Sequence, residues 1–302
     1  MAHVSVLLQE TIDALNLRER SSVCDATFGG GGHSMAIAER IGTEGTLYAI
    51  DQDADAFTEQ VIAGLKTKCQ LHFAVGNFRH IGEILDRMGA GKLDAVVFDL
   101  GLSSMQLDDS GRGFSFRFDE PLRMTFARDE GEGTITAEEV VNEWQETTLK
   151  EILRGFGEEP FSGRIARMIV KERAKARIVR TKDLVAIVER AVPAWYRRRK
   201  IHPATRTFQA IRMAVNDELG AIEKGIPEAF ARLKDGGRIA VITFHSVEDR
   251  AVKRLFKELA ETRGAIIVTK RPISPSREEI RKNPRSRSAK LRVIQRQTTT
   301  TP

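Results

Sequence analysis

Three groups of residues have types and spacings suited to chemistry. Thr27-Phe28-Gly29-Gly30-Gly31-Gly32-His33-Ser34 separates an apolar run from a helical pattern. Glycines there permit a tight turn and close approach of a ligand to the backbone, as in nucleotide-cofactor turns. The match to the dinucleotide spacing G-x-G-x-x-G is partial, because Ser34 takes the third glycine's place. Asp51 lies about twenty residues further on, at the end of a second apolar run, where a carboxylate can accept hydrogen bonds from both hydroxyls of an adenosine ribose. That placement serves S-adenosylmethionine and NAD equally. Asp99 closes a fourth run, in Phe98-Asp99-Leu100-Gly101-Leu102-Ser103-Ser104-Met105-Gln106. In open α/β sheets the ligand crevice lies outside the carboxyl ends of the strands, so Asp99 is expected where reacting groups meet, with a turn-capping carboxylate as the plainer alternative.

Other polar positions have more ordinary readings. Asp53 and Asp55 suit the first turn of a helix. Asp25, ending the first run, is expected near an amino-acid part of the cofactor, and Phe78 either packs on adenine or joins the core. Cys24 falls inside a strand and Cys69 just before one, which suits neither a thiolate nucleophile, a disulfide nor a zinc site; no metal site is expected. His245, Ser246 and Asp249 are too close in sequence to converge readily as a hydrolytic triad, and no G-x-S-x-G elbow is present. A hydrogen-bond network at a strand end fits them better. Ile201 to Arg212, running into Val215-Asn216-Asp217-Glu218-Leu219, forms a second polar-rich stretch.

These residues need a scaffold that presents strand ends. Ser22–Ala26, Thr46–Ile50, Leu71–Val75 and Leu93–Phe98 read as strands of a parallel sheet covered on both faces, with a helix through Met35–Ala38 and Ile41. The rhythm breaks at Gly101–Gly133, which is rich in Gly, Ser, Asp and Arg. Helical patterns then run from Ala137 to about Ala191, and Pro193 closes the last. A fifth strand returns at Arg238–Thr243. One sheet with a helical insertion after its fourth strand accounts for this order. The expected division is residues 1–107 and 206–302 for the sheet domain and 108–205 for an inserted substrate-recognition domain.

The 302 residues carry 41% hydrophobic and 30% charged content, enough to build a substantial core. No apolar run is long enough to span a membrane, and Met1–Leu17 lacks the pattern of an export signal, so a cytoplasmic protein without a membrane partner is expected. The net charge is +6, yet Lys270–Arg296 alone holds ten Lys or Arg against two Glu, leaving the remainder acidic. A concentrated basic segment attracts a polyanion, although it can also be a solvated tail. Leu291 and Val293 leave open that this tail completes the sheet.

The chain closely resembles the bacterial small-subunit (16S) ribosomal RNA cytosine-N4 methyltransferases. The resemblance rests on His3–Leu8, the Thr27–Ser34 turn, Asp99–Asp108, Arg112–Phe116, Gly157–Glu159, His202–Ala210, Phe244–Arg250 and Asn283–Arg292. It implies a Rossmann-like S-adenosylmethionine-dependent methyltransferase sheet with an inserted helical domain. It also implies cofactor contacts at Gly31, Gly32, His33, Asp51, Phe78, Asp99 and Gln106, and methylation of a cytosine amine near the decoding site. Asp99 is the expected catalytic residue, since an amine conjugated with a base is a weak nucleophile that needs placement and a proton acceptor. The expected partner is 16S ribosomal RNA, free or within the small subunit; a homodimer is left open. The chain departs from the family in having Met105 for a usual Pro, Arg123 for a usual acidic residue, Phe156 for Tyr and Thr243 for Ser. A nicotinamide-dependent oxidoreductase and a non-catalytic RNA-binding protein are the competing readings; the incomplete third glycine and the basic tail weigh against the first, and intact Gly31, Asp51 and Asp99 against the second.

Overall fold

The computed structural model describes residues 5–65, 67–103, 106–107, 111–127 and 134–298. The chain divides into two compact units, residues 1–101 with 219–302, and residues 102–218.

The first unit is built on a seven-stranded sheet of order β3-β2-β1-β4-β5-β7-β6. Its strands are β1 Ser22–Asp25, β2 Thr46–Asp51, β3 Gln70–Val75, β4 Leu93–Asp99, β5 Leu233–Thr243, β6 Ala265–Ile267 and β7 Lys290–Arg296. Strands β1 to β5 are mutually parallel, and β7 runs antiparallel between β5 and β6. The fold is therefore Rossmann-like. Alternation along β4 sorts the two faces. Val96 and Phe98 join a core with Ile84, Ile226, Phe230, Val252 and Phe256, supplied by helices α4 Ile81–Arg87, α11 Glu218–Arg232 and α12 Ser246–Arg263. Ala95 and Val97 join Leu7, Ile12, Leu15, Ile37 and Ile41 on the other face, supplied by α1 Leu8–Leu15 with its cap residue Leu7 and by α2 Gly32–Ile41. Burial on both faces explains why these strands read as continuous apolar runs.

The basic C-terminal segment is not a free tail. Val293 pairs with Ala240 and Leu291 with Ile242 across β5, and both side chains are fully buried. Arg292, which alternation turns to the opposite face, is also buried, where it meets Asp249. Arg285 and Arg287 remain exposed.

The second unit has its own core. Helices α5 Ala137–Glu143, α6 Glu146–Gly155, α7 Ser162–Arg173, α8 Thr181–Ala191, the short α9 Ala194–Arg197 and α10 Thr205–Val215 contribute to it. Its loop over residues 111–127 is pinned by Arg112, whose guanidinium donates to the carbonyl of Phe126 at 2.7 Å. Asn216 donates to Met124 O and accepts from Phe126 N, at 2.8 and 2.9 Å. The expected boundaries at 107/108 and 205/206 therefore shift to 101/102 and 218/219. The second shift has a clear cause, because α10 places Phe208, Ala210 and Ile211 in the insert's core.

Candidate active site

The strand order reverses between β1 and β4, which is where an open α/β sheet forms its ligand crevice. The turn after β1 is fixed to its neighbours by three bonds. Ala26 N donates to Val97 O at 3.0 Å and Phe28 N to Ile50 O at 2.9 Å. Thr27 Oγ1 accepts from Asp99 N at 2.6 Å, tying the turn directly to the end of β4. Two glycines are required by geometry. Gly31 has φ +74° as the cap of α2, a left-handed conformation that side chains resist. A Cβ on Gly32 would lie 2.0 Å from Ser5 Oγ.

Asp51 is the cradle on the β2 side. Its Oδ2 accepts from Gly29 N at 2.7 Å and Oδ1 from Asp53 N at 2.8 Å. Burial raises its pKa to about 6 against the opposing pull of these amides. A carboxylate offers about four acceptor sites over its two oxygens, more than these two amides occupy. Asp53 in turn caps the short turn that follows, accepting from Asp55 N at 3.2 Å, in line with the ordinary reading of both residues.

Asp99 is the group with unmet bonding. Its Oδ1 is buried and has no hydrogen-bond partner among the described residues, while the side chain retains 22% exposure. Its Oδ2 lies 3.4 Å from His33 Nδ1. His33 is buried at the start of α2, and its Nε2 lies 3.2 Å from Val6 O. A carbonyl only accepts, so Nε2 must carry the hydrogen and Nδ1 of the neutral ring presents a lone pair to Asp99. Burial lowers the His33 pKa, favouring that neutral ring. Burial first, and then the charge of Glu248, raises Asp99 to about 7. The pair is thus arranged for one proton, which on Asp99 Oδ2 would be received by His33 Nδ1. A carboxylate that can take up a proton at neutral pH is a suitable general base.

Residues 1–297 match the MraW methylase family. The chain belongs to that family. Among relatives of this MraW methylase, the ribosomal RNA small subunit methyltransferase H of Clostridium botulinum (strain Kyoto / Type A2) is 44% identical, covering 97% of this chain and 98% of its own. The protein of the same name from Heliobacterium mobile is 42% identical with the same coverages. Among solved structures, an rRNA methylase from Streptococcus thermophilus gives a TM-score of 0.46 at 12% identity, covering 98% of this chain and 100% of that one.

The remaining expected residues fare differently. Phe78 packs edge-on against Phe98 at 5.4 Å and partly joins the core. Gln106 lies in the second unit, where its Oε1 accepts from Ser103 N at 3.1 Å. Met105 lies outside the described residues. Arg123 is exposed between buried Leu122 and Met124. Asp25 is committed to the turn, with Oδ2 accepting from Ser34 Oγ at 2.7 Å and Oδ1 from Thr27 N at 3.1 Å. Its pKa rises to about 6, chiefly through burial. His245 and Glu248 form a capping box at the start of α12, and Asp249 is held by Arg292, an arrangement that leaves no triad. Sequence reasoning assigned no role to Thr27, Ser34 or Glu248. Only the H-x-x-E spacing of a capping box pointed to Glu248.

Proposed function

We propose that this methylase transfers a methyl group from S-adenosylmethionine to the 4-amino group of a cytosine in 16S ribosomal RNA near the decoding site, with Asp99 as the proton acceptor. The observation that carries the reading is the buried Oδ1 of Asp99, without a hydrogen-bond partner among the described residues, at the sheet's switch point beside His33. The relatives named as small-subunit ribosomal RNA methyltransferases support the class of substrate.

The residues of the first unit fit the cofactor. Asp51 suits the ribose hydroxyls, and Gly31 and Gly32 let the turn pack against Phe28, Leu65 and Ser5 so that its backbone faces the crevice as a contact for the cofactor. The first turn of α2 has no side-chain cap, so its positive end suits a carboxylate. Phe78, on the same unit, completes the contact set proposed there; Gln106, the other expected contact, belongs to the second unit. S-adenosylmethionine supplies an electrophilic methyl group on a sulfonium. Asp99 accepts a hydrogen bond from the cytosine amine, which directs the nitrogen lone pair, and then takes the proton that the methylated nitrogen must lose. The target cytosine must leave its stack to expose the amine.

Calorimetric titration should give micromolar affinity for S-adenosylmethionine or its demethylated product, about −8 kcal/mol, and no measurable NAD binding. Asp51→Ala should weaken that affinity at least about ten-fold by removing the diol acceptor. Preferential NAD binding would overturn the assignment. The site of methylation is tested by mass-spectrometric mapping of methylated nucleosides in ribosomal RNA from cells lacking the protein: an unchanged cytosine pattern refutes it.

A further inference from the structure

The second unit carries an exposed tryptophan two residues before a run of four cations, in Pro193-Ala194-Trp195-Tyr196-Arg197-Arg198-Arg199-Lys200. Within α9, Tyr196 points inward and is 4% exposed. Its hydroxyl donates to Glu159 Oε2 at 2.8 Å, and its ring meets Phe161 edge-on at 4.9 Å. Successive helical residues diverge by about 100°. Anchoring Tyr196 therefore turns Trp195 outward, where it is 62% exposed and meets Phe161 and Tyr196 in T-shaped contacts at 5.8 and 5.7 Å.

The charges around this ring are uncompensated. Arg197, Arg198, Arg199 and Lys200 are all exposed and make no ion pair among the described residues; Arg199 instead lies 5.3 Å over the Tyr196 ring. The nearby carboxylates are otherwise engaged, with Glu159 holding Tyr196 and Glu189 lying 3.6 Å from His202. Glu159 also lines an open cavity of about 510 Å³ that carries Lys150 and Arg154 as well as Glu158.

We propose that this surface binds an unpaired stretch of RNA, with one base stacked on Trp195 and its neighbouring phosphates on Arg197, Arg198 and Lys200. An exposed aromatic ring backed by Phe161 and Tyr196, and followed in the chain by cations with no ion pair among the described residues, matches what single-stranded nucleic acid offers, a π-face on every base and a charge on every linkage. An acidic protein would satisfy the cations but leave the ring without a partner of its own shape. The proposal rests on the reading of RNA as substrate and extends it to a docking surface on the insert.

The test uses the full chain and two labelled probes, a 20-nucleotide unpaired RNA of mixed sequence and a 20-base-pair RNA duplex, titrated by fluorescence anisotropy at several salt concentrations. Trp195→Ala should weaken the unpaired strand about ten-fold and the duplex little, whereas Trp195→Phe should stay within about three-fold of wild type. Joint replacement of Arg197, Arg198 and Lys200 by Ala should lower the salt slope for the unpaired strand by about 2, at about 0.7 per lost contact. Lys253→Ala, on α12, serves as a control and should change neither. With Trp144 replaced by Phe, the unpaired RNA should quench the fluorescence of the remaining Trp195. Unchanged affinity in both variants, or equal loss on strand and duplex for Trp195→Ala, overturns the proposal. So does a wild-type protein that ignores unpaired RNA while still methylating small-subunit RNA. Absence of methylation together with normal docking would instead count against the reading of function and leave this surface standing.

Discussion

Replacing Asp99 by Asn should lower single-turnover methylation of RNA by about 10²- to 10⁴-fold at saturating cofactor, the range associated with loss of a general base. The same substitution should make the protein more stable at neutral pH. An amide keeps the shape of the carboxylate and can donate to His33 Nδ1, which faces Asp99 Oδ2 at 3.4 Å. The sign of the stability effect follows from the raised pKa. An acid shifted from 3.8 to about 7 on folding binds its proton more tightly in the native state. Its ionisation therefore costs stability, beginning above pH 4 and reaching full size only above pH 7, at most on the order of 4 kcal/mol. The Asn variant avoids that cost, so its advantage in denaturant midpoint should grow between pH 4 and pH 8 and vanish below pH 4. The wild-type rate should rise with pH to a plateau above about 7, because only the carboxylate accepts a proton. The residual rate of the variant should lack that limb. Cofactor affinity separates the two roles open to Asp99. A loss confined to turnover marks an interaction made in the transition state, whereas weaker cofactor binding with near-normal single turnover marks an anchor and refutes the base.

The parts of this site that are local in sequence were legible, and the parts made by long-range packing were not. The Gly-rich turn and Asp51 follow apolar runs that could only be strands, so their position at strand ends could be read directly. The placement of Asp99 followed from the same rule. No pattern, however, ties Val6, His33 and Asp99 into one relay, because the three are joined by packing of the N-terminal segment against α2. The unpaired Oδ1 of Asp99 is likewise a property of the assembled crevice. Among strands, β1 to β5 announced themselves by continuous apolar character. β6 spans only three residues and gives no usable period. β7 alternates Lys290, Leu291, Arg292, Val293, so its charges presented it as a basic tail. The two leucine and valine positions nevertheless carried the strand period. The insert boundary was misplaced at its far end because α10 reads as a polar stretch, although its apolar side fills the second core.

The basic tail leads to the other large effect. Arg292→Ala should destabilise the protein by about 3–5 kcal/mol at pH 7, the penalty for leaving a buried charge without its partner. Arg292 and Asp249 are each only 7% exposed. Arg292 Nε donates to Asp249 Oδ1 at 2.7 Å and its Nη2 to Oδ2 at 3.2 Å, a two-pronged pairing that Lys290 reinforces at 2.9 Å. The bonds join the first turn of α12 to β7, holding the antiparallel strand against the sheet. Burial works against the Asp249 charge, but its hydrogen bonds to Arg292 and Lys290 prevail and lower its pKa below 3.8. An acid with a depressed folded pKa contributes stability above its unfolded value of about 4 and loses it as pH falls through the folded value. The deficit of Arg292→Ala should therefore be largest at neutral pH and shrink in acid, where Asp249 takes a proton in the variant before it does so in the wild type. Arg287→Ala, at an exposed position nearby, should stay within about 0.5 kcal/mol of wild type. Replacing both members, as in Asp249→Leu with Arg292→Met, should recover part of the loss, since an apolar pair removes the stranded charge as well as the bond. Urea titrations of the four proteins at pH 7 and pH 4 measure each of these differences. A single variant at Arg292 with wild-type stability at pH 7 would show that the strand is held by its backbone pairing with β5 alone.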